Sequence, residues 1–128
     1  MQWTVVIPDW HPVSVNVLLG VSFARGRGAR HAAAKRKRQD AEILAAYCHA
    51  AGVPKAKGPR VVRLTIGLGP RMRSCDPDNY MKSLLDGLRK CGAIVDDSPK
   101  WCKVEWGGTT RGVKETVVVI EDATKEMQ

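Results

Sequence analysis

Apolar residues recur at every second position in several segments of the chain, and this period predicts β-strands. The first such segment is Trp3–Ile7, which Pro8 ends. The second spans residues 61–68, with four aliphatic residues on one face. These are Val62, Leu64, Ile66 and Leu68. This second strand leads directly into an arginine-rich and aspartate-rich segment.

Two further β-prone segments follow near the end of the chain. They are Trp101–Trp106 and Glu115–Glu121, and the pair Gly107-Gly108 lies between them. Two neighbouring strands separated by glycines are typical of an antiparallel hairpin. The pattern therefore predicts that these two strands pair with each other.

Two segments have helical patterns. Residues 30–51 are rich in alanine, with Ile43, Leu44 and Tyr47 predicted to form an apolar face, and Gly52 fits a C-terminal cap. In residues 77–90 the apolar side chains recur with the spacing of a buried helical face, and Gly92 follows. These apolar residues are Met81, Leu84, Leu85 and Leu88. The pattern predicts two main helices.

Length and charge narrow the class of protein. The chain has 128 residues, of which 44% are apolar, so we expect a single domain spanning residues 1–128. Lysine and arginine number 21 against 13 acidic residues, which gives a net charge of +8. Such a balance favours a polyanionic partner, most often nucleic acid.

The basic residues are concentrated around the start of the first predicted helix and before the second. The candidates for phosphate contact are Arg25, Arg27, Arg30, Lys35, Arg36, Lys37, Arg38, Arg71 and Arg73. A charge run of this kind also occurs on helices that simply face water. A phosphate-binding role is the stronger interpretation only if a nucleic-acid-processing site lies nearby.

Other features argue against membrane, secretory and zinc-binding classes. No run approaches the ~18 apolar residues of a membrane span, and the N-terminal residues lack the pattern of a signal peptide. The cysteines form no Cys-x-x-Cys pair, so we expect reduced thiols rather than a zinc site. We therefore expect a cytoplasmic protein with no membrane partner.

Five aspartates are clustered between residues 75 and 97 of this basic chain. One interpretation is structural: Asp76 caps the second helix, Asp78 lies in its first turn, and Lys82 and Asp86 form surface ion pairs. This interpretation leaves the pair Asp96-Asp97 unexplained. We expect the chain to turn back after Gly92, so that Asp97 approaches the first-turn carboxylates.

Carboxylates that are brought together repel one another unless a cation neutralises them. An oxygen-only ligand set suits Mg²⁺ or Mn²⁺ better than zinc. Such an ion can activate water and stabilise the charge that develops when a phosphodiester is cleaved. Lys82, one turn after Asp78, would place a positive charge near a phosphate oxygen or the leaving group. Spacing alone leaves the structural and metal-binding interpretations open.

The acidic segment has the pattern Asp76-x-Asp78-Asn79-x-x-Lys82-x-x-x-Asp86-Gly-Leu88, followed by Gly92 and Asp96-Asp97. Taken together, this pattern resembles the signature of the RusA family of Holliday junction resolvases. The resemblance is strongest over residues 70–106. The element Pro12-x-Ser14-x-Asn16 is also similar to one in the family. The chain departs from the family pattern at Ser98-Pro99, which could reposition the loop after Asp97.

The resemblance implies a fold, an activity and roles for individual residues. The implied fold is α/β of the α+β type, a small mixed sheet packed with two main helices, in a homodimer. The implied activity is Mg²⁺-dependent nicking of four-way DNA junctions in recombination and repair, in a bacterial or phage-infected cell. Asp76, Asp78 and Asp97 are the implied metal ligands and Lys82 the implied catalytic lysine. Supporting roles fall to Asn79, Asp86 and Asp96.

Two alternatives remain open: a non-catalytic basic DNA-binding protein of the same fold, and an RNA-associated structural protein with incidental acids. The aromatic and histidine residues do not distinguish these alternatives from the nuclease. For Trp10, Trp101 and Trp106, packing in the core or in a dimer interface is favoured over stacking on bases. None of the three histidines belongs to the motif; they are His11, His31 and His49.

Overall fold

The computed structural model describes residues 1–12, 27–70 and 77–123, and for residues 27–33 and 77–79 it describes the backbone alone. Within these ranges the chain forms four strands and two helices. Their order is β1 (Gln2–Pro8), α1 (Arg27–Ala50), β2 (Arg60–Leu68), α2 (Pro77–Cys91), β3 (Cys102–Arg111) and β4 (Glu115–Asp122). The predicted class, a small mixed sheet with two main helices, is confirmed.

The four strands form one mixed sheet in the order β1-β4-β2-β3. Strand β4 is antiparallel to both β1 and β2, while β3 is parallel to β2. Parallel neighbours need a crossover connection, and α2 provides it between β2 and β3. The segment from β2 to β3 is therefore a β-α-β unit with α2 as its crossover helix.

The prediction of a hairpin between the last two strands is wrong, because β2 lies between β3 and β4. The short connection from Arg111 to Glu115 crosses the end of β2, where the Gly112 N–H donates to the carbonyl oxygen of Leu68 at 3.0 Å. The valine-rich β4 takes a central place with partners on both sides. The more exposed β3 is left at the edge.

The pair Gly107-Gly108 is also not a turn, because both glycines lie within β3. The register between β2 and β3 shifts by one residue after Trp106, so that Gly107 is an extra residue in the edge strand. A Cβ atom at Gly107 would lie 2.3 Å from the Thr65 hydroxyl oxygen. The glycine therefore permits a β-bulge in close contact with the neighbouring strand.

One face of the sheet packs against the two helices. The aliphatic residues of β2 that were predicted on one face are all buried there, together with Leu84 and Leu88 of α2. Helix α1 contributes Leu44 and Cys48. Tyr47 was predicted on this apolar face but is 37% exposed. The buried positions of α1 are instead spaced by four residues, beginning with the charged Asp40.

Both helices end as predicted, at a glycine with a positive φ angle. Gly52 has φ of 79° and Gly92 has φ of 84°. After α1 the Val53 N–H donates to the Cys48 carbonyl, and after α2 the Ala93 N–H donates to the Leu88 carbonyl. These bonds satisfy terminal carbonyls of each helix as in a Schellman motif.

Candidate metal centre

The first part of the candidate site lies at the start of α2. The helix begins at Pro77, as predicted, so Asp78 and Asn79 lie in its first turn. The preceding strand β2 lies in the interior of the sheet and ends at Leu68. Ligands often bind beyond the carboxyl ends of parallel strands, and this helix start is at such an end.

Several candidate residues lie outside the described part of the chain. They are Asp76, Arg25, Arg71, Arg73, and Ser14 and Asn16 of the N-terminal element. For Asp78, Asn79, Arg27 and Arg30 the position in a helix is described and the side chain is not.

His11 and Tyr80 fix the start of α2 against the sheet. The His11 Nε2 atom lies 2.7 Å from the carbonyl oxygen of Gly67, near the end of β2. The ring of Tyr80 contacts the His11 ring edge-on, with 5.9 Å between ring centroids. The Thr116 hydroxyl donates to the Trp10 carbonyl oxygen at 2.6 Å, which holds the adjoining segment. This role of His11 was not predicted, because its only sequence signal is a position beside the apolar Trp10.

The second part of the candidate site is the loop between α2 and β3, which contains Asp96 and Asp97. The buried guanidinium of Arg60, at the start of β2, donates to the carbonyl oxygens of Ala93 and Pro54 at 2.8 Å each. Asp122 accepts from the same guanidinium at 3.0 Å. The first residues of the loop are therefore fixed to the end of the sheet where β2 begins.

Asp97 is exposed and Asp96 is half-buried. The backbone N–H of Asp97, and then the Ser98 hydroxyl, donate hydrogen bonds to the Asp96 carboxylate and lower its pKa. Burial, and then the negative charge of Asp97, raise the pKa of Cys102 to about 11. The loop therefore presents the ionised Asp96 carboxylate next to the exposed Asp97.

The two parts of the site lie at opposite ends of α2 within one protomer. Tyr80 places the first turn of the helix at the Gly67 end of β2, and Ala93 places its last turn at the Arg60 end. A helix rises about 1.5 Å per residue, so roughly 20 Å separates Asp78 from Cys91. The loop that carries Asp97 therefore follows the end of α2 that is remote from the first-turn carboxylates, and the expected approach of Asp97 to them stays a prediction.

The exposed side of α2 carries a row of charged residues between these ends. Lys82 is exposed. Asp86 accepts hydrogen bonds from Arg89 at 2.9 Å and from Lys90 at 3.3 Å. Burial alone would raise the pKa of Asp86, but these two partners outweigh it and lower the pKa. Asp86, and more weakly Asp97 and Asp96, raise the pKa of Arg89, which places Arg89 near the loop carboxylates.

Helix α1 presents a row of exposed basic residues, as predicted; in the described part these are Lys35, Arg36, Lys37 and Arg38. Arg36 is engaged by Asp40 at 3.1 Å, and Asp40 also accepts a hydrogen bond from Trp10 Nε1 at 3.2 Å. Asp40 is a buried carboxylate that the sequence prediction missed. Its spacing of four residues before Leu44, and eight before Cys48, was the available signal.

The other tryptophans lie nearer the surface than Trp10, which is confirmed as a core residue with 8% exposure. Trp101 is half-buried, and the Lys100 ammonium lies 5.3 Å from its ring centroid. Trp106, on the edge strand β3, is 36% exposed.

Among the described residues no group of three or more histidine, cysteine or acidic side chains is placed to hold a metal ion. The described residues include Asp97 but neither Asp76 nor the side chain of Asp78. No known family model or curated protein matches the chain. The resemblance to RusA resolvases therefore rests on the motif residues. Neither described helix has the length and apolarity needed to cross a membrane.

Proposed function

We propose that the protein is a homodimeric, Mg²⁺-dependent endodeoxyribonuclease that nicks branched DNA, with four-way junctions as its preferred substrate. It would act in DNA recombination and repair, in the cytoplasm of a bacterial or phage-infected cell. One observation carries the proposal: the motif residues Asp78 and Lys82 lie in the first turns of a crossover helix that follows an interior strand. This position provides a helix start that is suited to phosphate chemistry.

The residues of the proposed site fit a hard divalent cation. Asp76, Asp78 and Asp97 would hold Mg²⁺, or Mn²⁺ as a substitute, because all three offer carboxylate oxygens. The lowered pKa of Asp96 adds an ionised carboxylate beside Asp97. When bound, the ion would activate water and stabilise the negative charge that develops on the phosphodiester.

The remaining residues of the motif position the DNA and the ligands. The exposed Lys82 ammonium would donate to a phosphate oxygen or to the departing oxygen. Asn79, in the first turn, would orient a neighbouring carboxylate. Asp86 restrains Arg89 and Lys90 through its two ion pairs, which keeps these cations beside the loop that holds Asp97.

A homodimer would supply the Asp97 carboxylate that the start of α2 lacks within one protomer. A two-fold axis perpendicular to α2 would bring the start of α2 in one protomer toward the Asp97 loop of the other. Two such composite sites are related by the same symmetry as a four-way junction, so they would nick opposed strands. The edge strand β3 offers exposed apolar area for a dimer contact at Val104 and Trp106, each 36% exposed.

The exposed basic residues of α1 would contact the phosphate backbone. Lys35, Lys37 and Arg38 are exposed, and no ion pair joins them to another described residue. Their contribution would be independent of DNA sequence, because phosphate contacts position the protein without reading bases.

The second candidate function is binding of branched DNA without cleavage. The separation of Asp78 from Asp97 favours it for a protein that remains monomeric, because a monomer would then lack the third carboxylate. The oligomeric state in solution therefore distinguishes the two functions together with the cleavage assay.

The test uses labelled four-way junction and a linear duplex of matched sequence, each with Mg²⁺ or with chelator. We expect Mg²⁺-dependent nicking of the junction, little nicking of the duplex, and loss of nicking in Asp78→Asn with junction binding retained. Glu42→Gln, an equal change of charge on the exposed side of α1, is the matched control and should cleave normally. Absence of Mg²⁺-dependent nicking by the wild-type protein would contradict the proposal.

A further inference from the structure

Two cysteines meet where the C-terminal turns of α1 and α2 pack together. The helices approach closely at Leu44 and Gly87, since a Cβ atom on Gly87 would lie 2.4 Å from the Leu44 Cδ1 atom. One helical turn further along each chain segment lie Cys48 and Cys91, four residues after Leu44 and Gly87 respectively. The ends of the two helices are joined there by a hydrogen bond from the Ala56 N–H to the Gly92 carbonyl oxygen at 2.8 Å, and both thiols are free.

The two thiols differ in access and in acidity. Cys48 belongs to the core and is 4% exposed, whereas Cys91 is half-buried and reachable from solvent. The hydrogen bond from Cys48 stabilises the Cys91 thiolate and lowers the pKa of Cys91. The same pairing, together with burial, raises the pKa of Cys48. Cys91 is therefore the nucleophile of the pair and Cys48 the thiol that remains protonated beside it.

We propose that Cys48 and Cys91 form an oxidative modification site that takes a hydroperoxide as oxidant and closes into a disulfide linking α1 to α2. The site shares no residue with the proposed metal centre and does not depend on the nuclease proposal. The packed last turns of α1 and α2 place a resolving thiol beside the thiol that is oxidised first, which is the arrangement that disulfide formation through a sulfenic acid requires.

The proposed oxidation takes place in two steps. The Cys91 thiolate attacks one oxygen of the hydroperoxide, the O–O bond breaks, and the products after proton transfer are Cys91 sulfenic acid and an alcohol, or water for hydrogen peroxide. The Cys48 sulfur then attacks the Cys91 sulfur, and the hydroxyl group leaves as water with the Cys48 proton. Two electrons pass from the thiol pair to the peroxide, and a dithiol reductant reverses the change.

Cys102 provides a matched comparison within the same fold. It is also buried, but its pKa is raised to about 11 by burial and by the charge of Asp97. A thiol that remains protonated at neutral pH reacts slowly with peroxide. The proposal therefore predicts selective oxidation of one cysteine pair while a third buried cysteine stays reduced.

The experiment uses the full chain with Cys75→Ser, which leaves Cys48, Cys91 and Cys102. The folded protein is exposed to limiting hydrogen peroxide at neutral pH, alkylated, digested and analysed by mass spectrometry. We expect a Cys48–Cys91 disulfide that dithiothreitol removes, formed at least about tenfold faster than any oxidation of Cys102. In Cys48→Ser, a dimedone probe should trap sulfenic acid at Cys91, while in Cys91→Ser the Cys48 thiol should stay reduced.

Three outcomes would overturn the proposal. Oxidation of all three cysteines at similar rates would show that the pairing confers no reactivity. Disulfide formation only in urea would show that the folded arrangement does not permit it. Oxidation of Cys48 at the wild-type rate in Cys91→Ser would show that Cys91 is not the nucleophile. The first two are measured without altering Cys48 or Cys91, so they decide the matter even if a substitution of either cysteine prevents folding.

Discussion

Asp78 lies in the first turn of helix α2, beside the Gly67 end of strand β2, whereas the loop that carries Asp97 follows the last turn of α2, beside the Arg60 end. The helix between them rises about 20 Å from Asp78 to Cys91, far more than the reach of two carboxylates around one ion. If both residues bind the same cation, we expect them to come from different protomers. This relationship makes the proposed nuclease depend on its dimer.

Mixing two inactive variants tests this dependence. Asp78→Asn and Asp97→Asn should each abolish nicking alone, because every site of either homodimer lacks one carboxylate. In a heterodimer of the two variants, one site lacks both carboxylates and the other is intact. After equal mixing and subunit exchange we expect about a quarter of the wild-type number of sites. The measurement is Mg²⁺-dependent nicking of a four-way junction, and single nicks should replace paired ones.

The control mixes Asp78→Asn with Asn79→Ala, two changes at the same end of the helix. This heterodimer has a defect in each of its two sites, so its activity should not exceed that of Asn79→Ala alone. If heterodimers of Asp78→Asn and Asp97→Asn form and no nicking returns, the two carboxylates act within one protomer or do not act together.

The basic residues of α1 predict a salt dependence of junction binding. The logarithm of the association constant for DNA falls linearly with the logarithm of salt concentration. Each phosphate contact makes this slope steeper by about 0.9 for duplex DNA. Lys35→Gln combined with Arg38→Gln should therefore make the slope shallower by roughly 2 if both residues contact phosphates. Arg36→Gln is the matched comparison, and it should change the slope less, because Asp40 already engages the Arg36 guanidinium at 3.1 Å.

Fluorescence anisotropy of a labelled junction, titrated over a series of salt concentrations, gives these slopes. An unchanged slope in the double variant would show that this side of α1 only faces water. Such a result would leave the cleavage proposal intact and would move the phosphate contacts to other basic residues.

Local elements were predictable from the sequence because their signals are local. The alternating residues of β2 and the glycines at residues 52 and 92 act through their own backbone conformation and through one buried face. The apolar spacing of residues 77–90 likewise predicted a helix that starts at Pro77. Each of these features depends on residues within one or two turns of each other in the chain.

The order of the strands was not predictable in the same way. Short connections usually join strands that pair, but the connection after Arg111 crosses the end of β2. Which strand occupies the centre depends on how much apolar surface the whole sheet can bury. The buried pair of Trp10 and Asp40 was missed for a similar reason, since its partners are 30 residues apart.

The ion pairs of Asp86 predict a pH-dependent contribution to stability. Arg89 and Lys90 hold the pKa of Asp86 below its ordinary value of 3.8. A lowered carboxyl pKa stabilises the folded state above the unfolded-state pKa, and this stabilisation is lost as pH falls through the folded-state pKa. Asp86→Asn should therefore lower the free energy of unfolding by about 0.5 kcal/mol at pH 7.

The measurement is urea unfolding of wild type and Asp86→Asn between neutral pH and about pH 3. The difference between the two proteins should shrink as the pH falls, and high salt at pH 7 should reduce it as well, since both partners are solvent-exposed. Glu42→Gln serves as the comparison. If the difference in free energy of unfolding does not change with pH, the effect of Asp86→Asn comes from helix propensity and not from the ion pairs.

The buried carboxylate of Asp40 should matter more to stability than any exposed acid of the chain. It accepts a hydrogen bond from Trp10 Nε1 at 3.2 Å and one from Arg36 at 3.1 Å, and its side chain is 10% exposed. Asp40→Ala leaves the buried indole N–H without this acceptor and removes the ion pair, so we expect a loss of about 2 kcal/mol. Asp40→Asn keeps an acceptor oxygen for Trp10 and should cost less.

Urea unfolding followed by tryptophan fluorescence measures both variants, with Glu42→Ala on the exposed side of the same helix as control. The control should lie within about 0.5 kcal/mol of wild type. If Asp40→Ala and Glu42→Ala have equal effects, the Trp10 contact contributes nothing measurable. If Asp40→Asn costs as much as Asp40→Ala, the charge on Asp40, through its pairing with Arg36, outweighs the hydrogen bond that fixes the residues after β1 against α1.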